Sequence, residues 1–196
     1  MTGKEAAACS NFQAALFNYK NGISFLPGGL WLGDSTDILC RELHNGAAFA
    51  SFALGKSADV ELYASAVIEN VPLEDSLFAH ACHIRSLRQA GKYKETIATG
   101  LAVLRLLSID IPPVSSPMTI MEAMAKTTKL TSQYTSQQII SMKQTCMIAR
   151  KRNVLEIVDA MFPVCYREAS PYLPLLACAM INYSFQNGVC GESSGK

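Results

Sequence analysis

Charge is what this sequence has least of. Asp, Glu, Lys and Arg make up 17% of its 196 residues, where a soluble domain usually carries about a quarter. The formal net charge is +1, so there is no electrostatic footprint for a nucleic acid or an anionic membrane surface. Long apolar runs are missing too. The longest candidate, Tyr172 to Phe185, is interrupted by Pro174 and Asn182 and falls short of the roughly 18 residues that span a bilayer. The opening MTGKEAAACS lacks the apolar core of a secretory signal. No CxxC pair occurs. The seven cysteines (Cys9, Cys40, Cys82, Cys146, Cys165, Cys178 and Cys190) are odd in number and scattered, which argues against a disulfide framework or a zinc knuckle. Five of them fall inside apolar helical patterns, where a thiol acts as a small hydrophobe. A reducing, cytoplasmic compartment is the expectation.

What is present is apolar and helical. Hydrophobic residues make up 49% of the chain and mean hydropathy is +0.17. That is enough for one continuous core, and it implies surface hidden against something else. Leu39, Leu43, Ala47, Ala50 and Leu54 share a helical face, with Asp34 and Ser35 as caps. A second helix opens at Ser57, carries Val60, Ala64, Val67 and Ile68, and stops at Asn70 and Pro72. A third carries Leu77, Ala81, Ile84 and Leu87. The fourth has two stripes, Tyr93-Ile97-Leu101-Leu104 and Thr96-Gly100-Val103-Leu107, as a helix contacted on two sides would. SIDIPPVSSP then breaks the pattern. Ser116-Pro117 reads as a cap with proline at the first helical position. Further helices are predicted over 117–130, 135–151 (Ile139, Met142, Cys146, Ala149), 153–168 with a kink near Pro163, and from Ser170-Pro171 to Gln186. No alternation worth a strand occurs. The expected fold is all-α: one domain, 1–196, of antiparallel hairpins (35–69 and 73–107, a loop over 108–117, more helices over 117–186), with about seven to nine helices in a right-handed superhelix.

The hairpins repeat. FALGKSADVELYASAV (52–67) lies over LRQAGKYKETIATGLAV (87–103), so that Gly55-Lys56 matches Gly91-Lys92, Ala64 matches Gly100, and Ala66-Val67 matches Ala102-Val103. A helix, a glycine turn and a second helix at this period is the tetratricopeptide-type unit. The stretch 73–113, LEDSLFAHACHIRSLRQAGKYKETIATGLAVLRLLSIDIPP, resembles the tetratricopeptide-like region of very large signalling ATPases. In those proteins an AAA-type or STAND-type nucleotide-binding domain precedes a long helical array, often with a protein kinase in front and a GAF plus histidine-kinase module behind. Residues 20–68 are similar to the hairpin preceding it there, including Leu26, Pro27 and Trp31 of a Leu-Pro-x-x-x-Trp element. The resemblance covers roughly 6–190 and includes no catalytic motif. It implies a scaffold or regulatory arm, and none of the family's catalytic residues has a counterpart here.

Candidate chemistry is thin. Gly55-Lys56-Ser57 invites a phosphate-loop reading, but the required earlier glycine is Ala50, inside a helix with no strand before it. His80 and His83 share a helical face and could hold a metal; Cys82 points elsewhere, and no metal site is assigned. The expectation is that one histidine packs and the other is solvated. His44, beside Arg41 and Glu42, is placed on a helix surface rather than as a phosphoacceptor. No Gly-x-Ser-x-Gly elbow occurs. Lys143, Arg150, Lys151 and Arg152 read as cations at a helix C-terminus. Met118, Met121 and Met124 read first as core, second as an adaptable binding face.

The last helix carries Tyr172, Leu176, Ala179 and Tyr183 on one stripe, and in a repeat array another helix would follow Gly188 to cover it. The chain therefore reads as a fragment or a piece of a longer array whose apolar end could self-associate. The expected function is a non-catalytic, cofactor-free module that binds protein partners or adjacent domains. Trp31, His80, His83, Tyr172, Leu176 and Tyr183 are its candidate surface. The alternatives are a remnant of an ATP-binding kinase or ATPase, and a small-ligand sensor with a pocket near Trp31 or His80.

Overall fold

The computed structural model describes residues 2–26, 31, 35–109, 111–114, 116–140 and 149–187. The described residues are all-α, with no strand. They form ten helices: α1 (Gly3–Ala8), α2 (Phe12–Ser24), α3 (Ser35–Ala53), α4 (Ser57–Ile68), α5 (Leu73–Gln89), α6 (Tyr93–Leu106), α7 (Pro117–Thr131), α8 (Ser136–Ile140), α9 (Ala149–Arg167) and α10 (Tyr172–Asn187). The chain divides into two compact units, Met1–Lys92 and Tyr93–Lys196. The second of the two expected hairpins has its first helix, α5, in one unit and its second, α6, in the other.

In the first unit each helix packs on its successor, and α3 also meets α1 and α5. The α3 stripe is buried at Ala47 and Ala50, but Leu39 is half exposed at 50%. The faces expected of α4 and α5 hold: Val60, Ala64, Val67, Leu77, Ala81 and Ile84 are buried. Phe12, Phe49 and Phe78 run across α2, α3 and α5, with successive ring centroids 5.9 Å and 6.2 Å apart. Tyr19 is buried between two glycines: a Cβ at Gly46 would collide with its ring, and one at Gly3 would sit 2.8 Å from it. Ion pairs join Lys4 to Glu42 at 2.7 Å, Lys20 to Asp59 at 3.0 Å, and Arg41 to Asp75. Each links helices two apart in the chain. Being at least partly exposed, they are screened by solvent and add little to stability.

The N-terminal helices α1 and α2 were not among those expected. Thr2 and Glu5 form a capping box, with Glu5 N donating to Thr2 Oγ1 at 3.2 Å and Thr2 N to Glu5 Oε2 at 2.8 Å. The Asn11 side chain accepts from Ala14 N, capping α2.

In the second unit α9 packs on α6 and α10, and α10 packs on α7. Val154, Ile157, Val158, Met161, Val164 and Cys165 make α9 the most buried helix of this unit. Gly100 leaves the room that the Met161 side chain fills. Two helices differ from expectation: the predicted 135–151 helix is described over Ser136–Ile140 only, and residues 149–151 open the helix predicted from 153, which runs on through Pro163 to Arg167 as expected. Met142 and Cys146 lie outside the described residues, as do Pro27, Asp34, Lys143, Gly188 and Cys190. Ser116 is the N-cap of α7, with Pro117 at N1, but its side chain makes no capping bond.

The Gly55 and Gly91 turns are built alike. Gly55 has φ +70° and Gly91 φ +74°, the left-handed region that disfavours a Cβ. In each turn the following lysine N–H reaches back to close the helix, Lys56 to Ser51 O at 2.9 Å and Lys92 to Leu87 O at 3.0 Å. The same closure ends α1, α6 and α9 without glycine, with Ser10, Ser108 and Ala169 at φ 57°, 59° and 46°.

Candidate interaction surface

Trp31 does not stand at an open surface. It is half-buried against the cluster of Ala64, Val67 and Ala79. Its ring lies 5.5 Å from that of His44, which lies 6.1 Å from Tyr63. Lys20 Nζ sits 5.9 Å from the Tyr63 ring centre, within cation–π range. His44 is thus a partly buried member of an aromatic group, not the surface residue expected. Its Nδ1 is 2.8 Å from Cys40 O, so one ring nitrogen is engaged by its own helix. The sequence signal that could have found this is the spacing of His44 from Ala47 and Ala48, one turn along a face that is buried.

His80 and His83 are both half-buried on α5. Burial, and then the charge of His83, push the His80 pKa below its ordinary value. His83 lines a cavity of about 110 Å³ with Ser57, Glu61, Ser86 and Lys92. Neither histidine matches the expectation of one packed and one solvated. Among the described residues no three His, Cys, Asp or Glu side chains converge as metal ligands would.

The C-terminal stripe is partly covered, most fully at Leu176. Leu176 is 0% exposed, and Tyr172 and Tyr183 are half-buried. At Leu176 the stripe expected to be uncovered is covered, since α7 and α9 both pack on α10. Leu176 therefore belongs to the core and not to a surface.

The uncovered apolar face belongs to α7. Met118, Met121 and Met124 are 59%, 64% and 52% exposed. Their spacing puts them on one side of the helix, and α7 packs on α10. This overturns the core reading given first to these methionines: α7 offers only its opposite face to its neighbour. No family model, curated protein or solved structure matches this chain.

The basic cluster also moves. In α9, Ala149–Arg167, residues 150–152 occupy the first turn, the end where the helix dipole disfavours cations. Arg152 is held instead by Glu156, Nε to Oε1 at 3.0 Å. Gly55-Lys56-Ser57 joins α3 to α4, and Ala50 is buried within α3. Of the cysteines, Cys40, Cys82, Cys165 and Cys178 are buried and Cys9 is exposed. No helix of the described residues is long and apolar enough to cross a membrane.

Proposed function

We propose that this chain is a non-catalytic helical-repeat module that binds polypeptide partners or adjacent domains of a larger signalling protein, with the methionine face of α7 as its docking element. One observation carries the reading: three methionines on one helical face, each more than half exposed. Methionine side chains are flexible and polarizable and adapt to varied apolar partners, and a contiguous exposed apolar stripe marks an interaction surface more often than chance. A tetratricopeptide-like arrangement is supported by the matched Gly55 and Gly91 turns and by the row of α1, α3 and α5 in the first unit. The similarity of residues 20–113 to the helical region of signalling ATPases supplies the parent context and a cytoplasmic setting. Against the alternative, an ATP-binding remnant, stands the placement of Gly55-Lys56-Ser57 in a helix–helix turn.

The test is cell-borne crosslinking with photo-methionine in place of methionine. Crosslinks to another polypeptide are expected to concentrate at Met118, Met121 and Met124 and to be absent at the buried Met161. Met121→Glu should abolish them while changing stability by less than about 0.5 kcal/mol, as exposed substitutions do. Crosslinks that ignore Met121→Glu, or saturable ATP binding by the chain, would sink the reading.

A further inference from the structure

A methionine side chain is apolar only while its thioether is unoxidised. Addition of one oxygen gives a sulfoxide, a polar group on the same flexible stem. The second unit divides its methionines in this respect. Met118, Met121 and Met124 on α7 are each more than half exposed, whereas Met161 on α9 is fully buried. The Met161 sulfur packs so closely over Gly100 that a Cβ there would collide with it. Met180, on α10, is half-buried and lies between these extremes. An oxidant in solution therefore meets the α7 sulfurs first, because susceptibility follows exposure. The consequences of oxidation are divided the same way. An added oxygen at Met161 needs room that a close-packed core does not have. On α7 the sulfoxides stand in water, and the fold gives up little packing. Their spacing sets all three on one side of the helix, so the polar groups accumulate on a single stripe. Among the described cysteines Cys9 alone is exposed. Three of the four exposed sulfur side chains among the described residues thus lie on this stripe.

We propose that the methionine face of α7 is a reversible redox switch, which stops docking apolar partners when peroxide oxidises its three thioethers. The inference rests on the docking role given to that face above. In each step the thioether sulfur attacks one oxygen of hydrogen peroxide. An S–O bond forms, the O–O bond breaks, and the other oxygen leaves as water. The sulfur loses two electrons and the peroxide gains them. A thiol-dependent methionine sulfoxide reductase reverses the step: the sulfoxide oxygen leaves as water, and two thiols join as a disulfide. The exposure that admits the oxidant also leaves the sulfoxides within reach of that enzyme.

The test has two arms. In the first, the full chain is treated with hydrogen peroxide and its methionines are followed by peptide mass spectrometry. Met118, Met121 and Met124 are expected to oxidise at least about tenfold faster than Met161, with the far-ultraviolet circular dichroism unchanged at that stage. In the second, docking is read in cells from a photoreactive benzophenone amino acid in place of Ala125, which is exposed and on the same side of α7 as Met118 and Met121. Crosslinks to another polypeptide are expected before peroxide, to be lost under it, and to recover when it is withdrawn. The combined variant Met118→Leu, Met121→Leu and Met124→Leu keeps the face apolar without an oxidisable sulfur, and its crosslinks are expected to survive peroxide. Oxidation of the three no faster than that of Met161 overturns the switch. So do crosslinks that persist once the three are sulfoxides, and crosslinks lost in the leucine variant as in the wild type. Crosslinks absent before any peroxide overturn the docking role itself, and the switch with it.

Discussion

In Met1–Lys92 every helix packs on the one that follows it, and α3 reaches α1 and α5. In Tyr93–Lys196 the contacts run from α6 to α9, from α9 to α10 and from α10 back to α7, and of these only the α9–α10 pair joins consecutive helices. Contacts between consecutive helices close short loops at small entropic cost. The second unit must bring together helices separated by a long connection, and among the described helices α7 packs on α10 alone. Closeness of fit differs in the same sense. Glycine against a tyrosine ring, a run of three phenylalanines and ion pairs between alternate helices define the first unit. In the second a flexible methionine, Met161, fills the space beside Gly100, and the exposed methionine face remains. Incomplete packing is where binding surfaces are available, and that is why the functional reading falls on the second unit.

The largest expected effect probes this difference in fit. Gly46→Ala places a methyl into the ring of Tyr19, which is buried and is also flanked by Gly3. A ring cannot bend away, so the full overpacking cost of about 3 kcal/mol is expected. Gly100→Ala meets the Met161 side chain, which has three rotatable bonds with which to yield, and about 1 kcal/mol is expected there. Urea denaturation of both variants checks the contrast, and Tyr19→Leu in the Gly46→Ala background should recover part of the loss. Equal losses would mean that the two units are packed with the same rigidity.

Proton linkage offers a second way to set the units apart. In the first, burial and then the His83 charge hold His80 below its ordinary pKa of 6.5. The unfolded chain then takes up the proton first as pH falls. The stability tied to neutral His80 is complete above about pH 6.5 and drains as pH drops from there toward the lowered folded value. In the second unit, burial raises the Cys165 thiol above 9.0, with a hydrogen bond involving Ser170 partly opposing it. There the unfolded chain ionises first as pH rises, so stability is complete below about pH 9 and drains from there up to the raised folded value. Denaturation curves across this range should show His80→Gln flattening the acid limb and Cys165→Ala the alkaline limb. An acid limb unchanged in His80→Gln would remove His80 from the account.

How far the sequence anticipated these features follows from the range over which each is determined. The bounds of α3 to α7 are local events, a glycine with positive φ or a proline at N1, and they were legible to within a residue or two. The helix α2 was missed because Asn18, Asn21 and Gly22 weaken its propensity, and its buried face of Ala15, Leu16 and Tyr19 has meaning only once α3 packs on it. Thr2 and Glu5 at capping-box spacing were the readable sign of α1. The methionine face and the buried position of Leu176 could not be read from periodicity. A period says which residues share a side, and only the identity of the packing neighbour says which side is covered.

The smallest expected effects lie at helix ends, where one turn of each unit, after α3 and after α9, solves one problem with different residues. The α3 turn uses Gly55 at φ +70° and the α9 turn uses Ala169 at φ +46°. Both close with a back-reaching N–H, Lys56 to Ser51 O at 2.9 Å and Ser170 to Cys165 O at 2.8 Å. A Cβ in the left-handed region costs roughly 1–2 kcal/mol, offset in part by the greater chain entropy glycine loses on folding. Gly55→Ala is therefore expected to destabilise by about 1 kcal/mol, and Ala169→Gly to stabilise by about 0.5–1 kcal/mol. Thermal melts of the two variants measure both signs. If Ala169→Gly lowers the melting temperature, the methyl of Ala169 contributes packing that outweighs its backbone strain, and the α9 turn is held by its neighbours more than by its own backbone geometry.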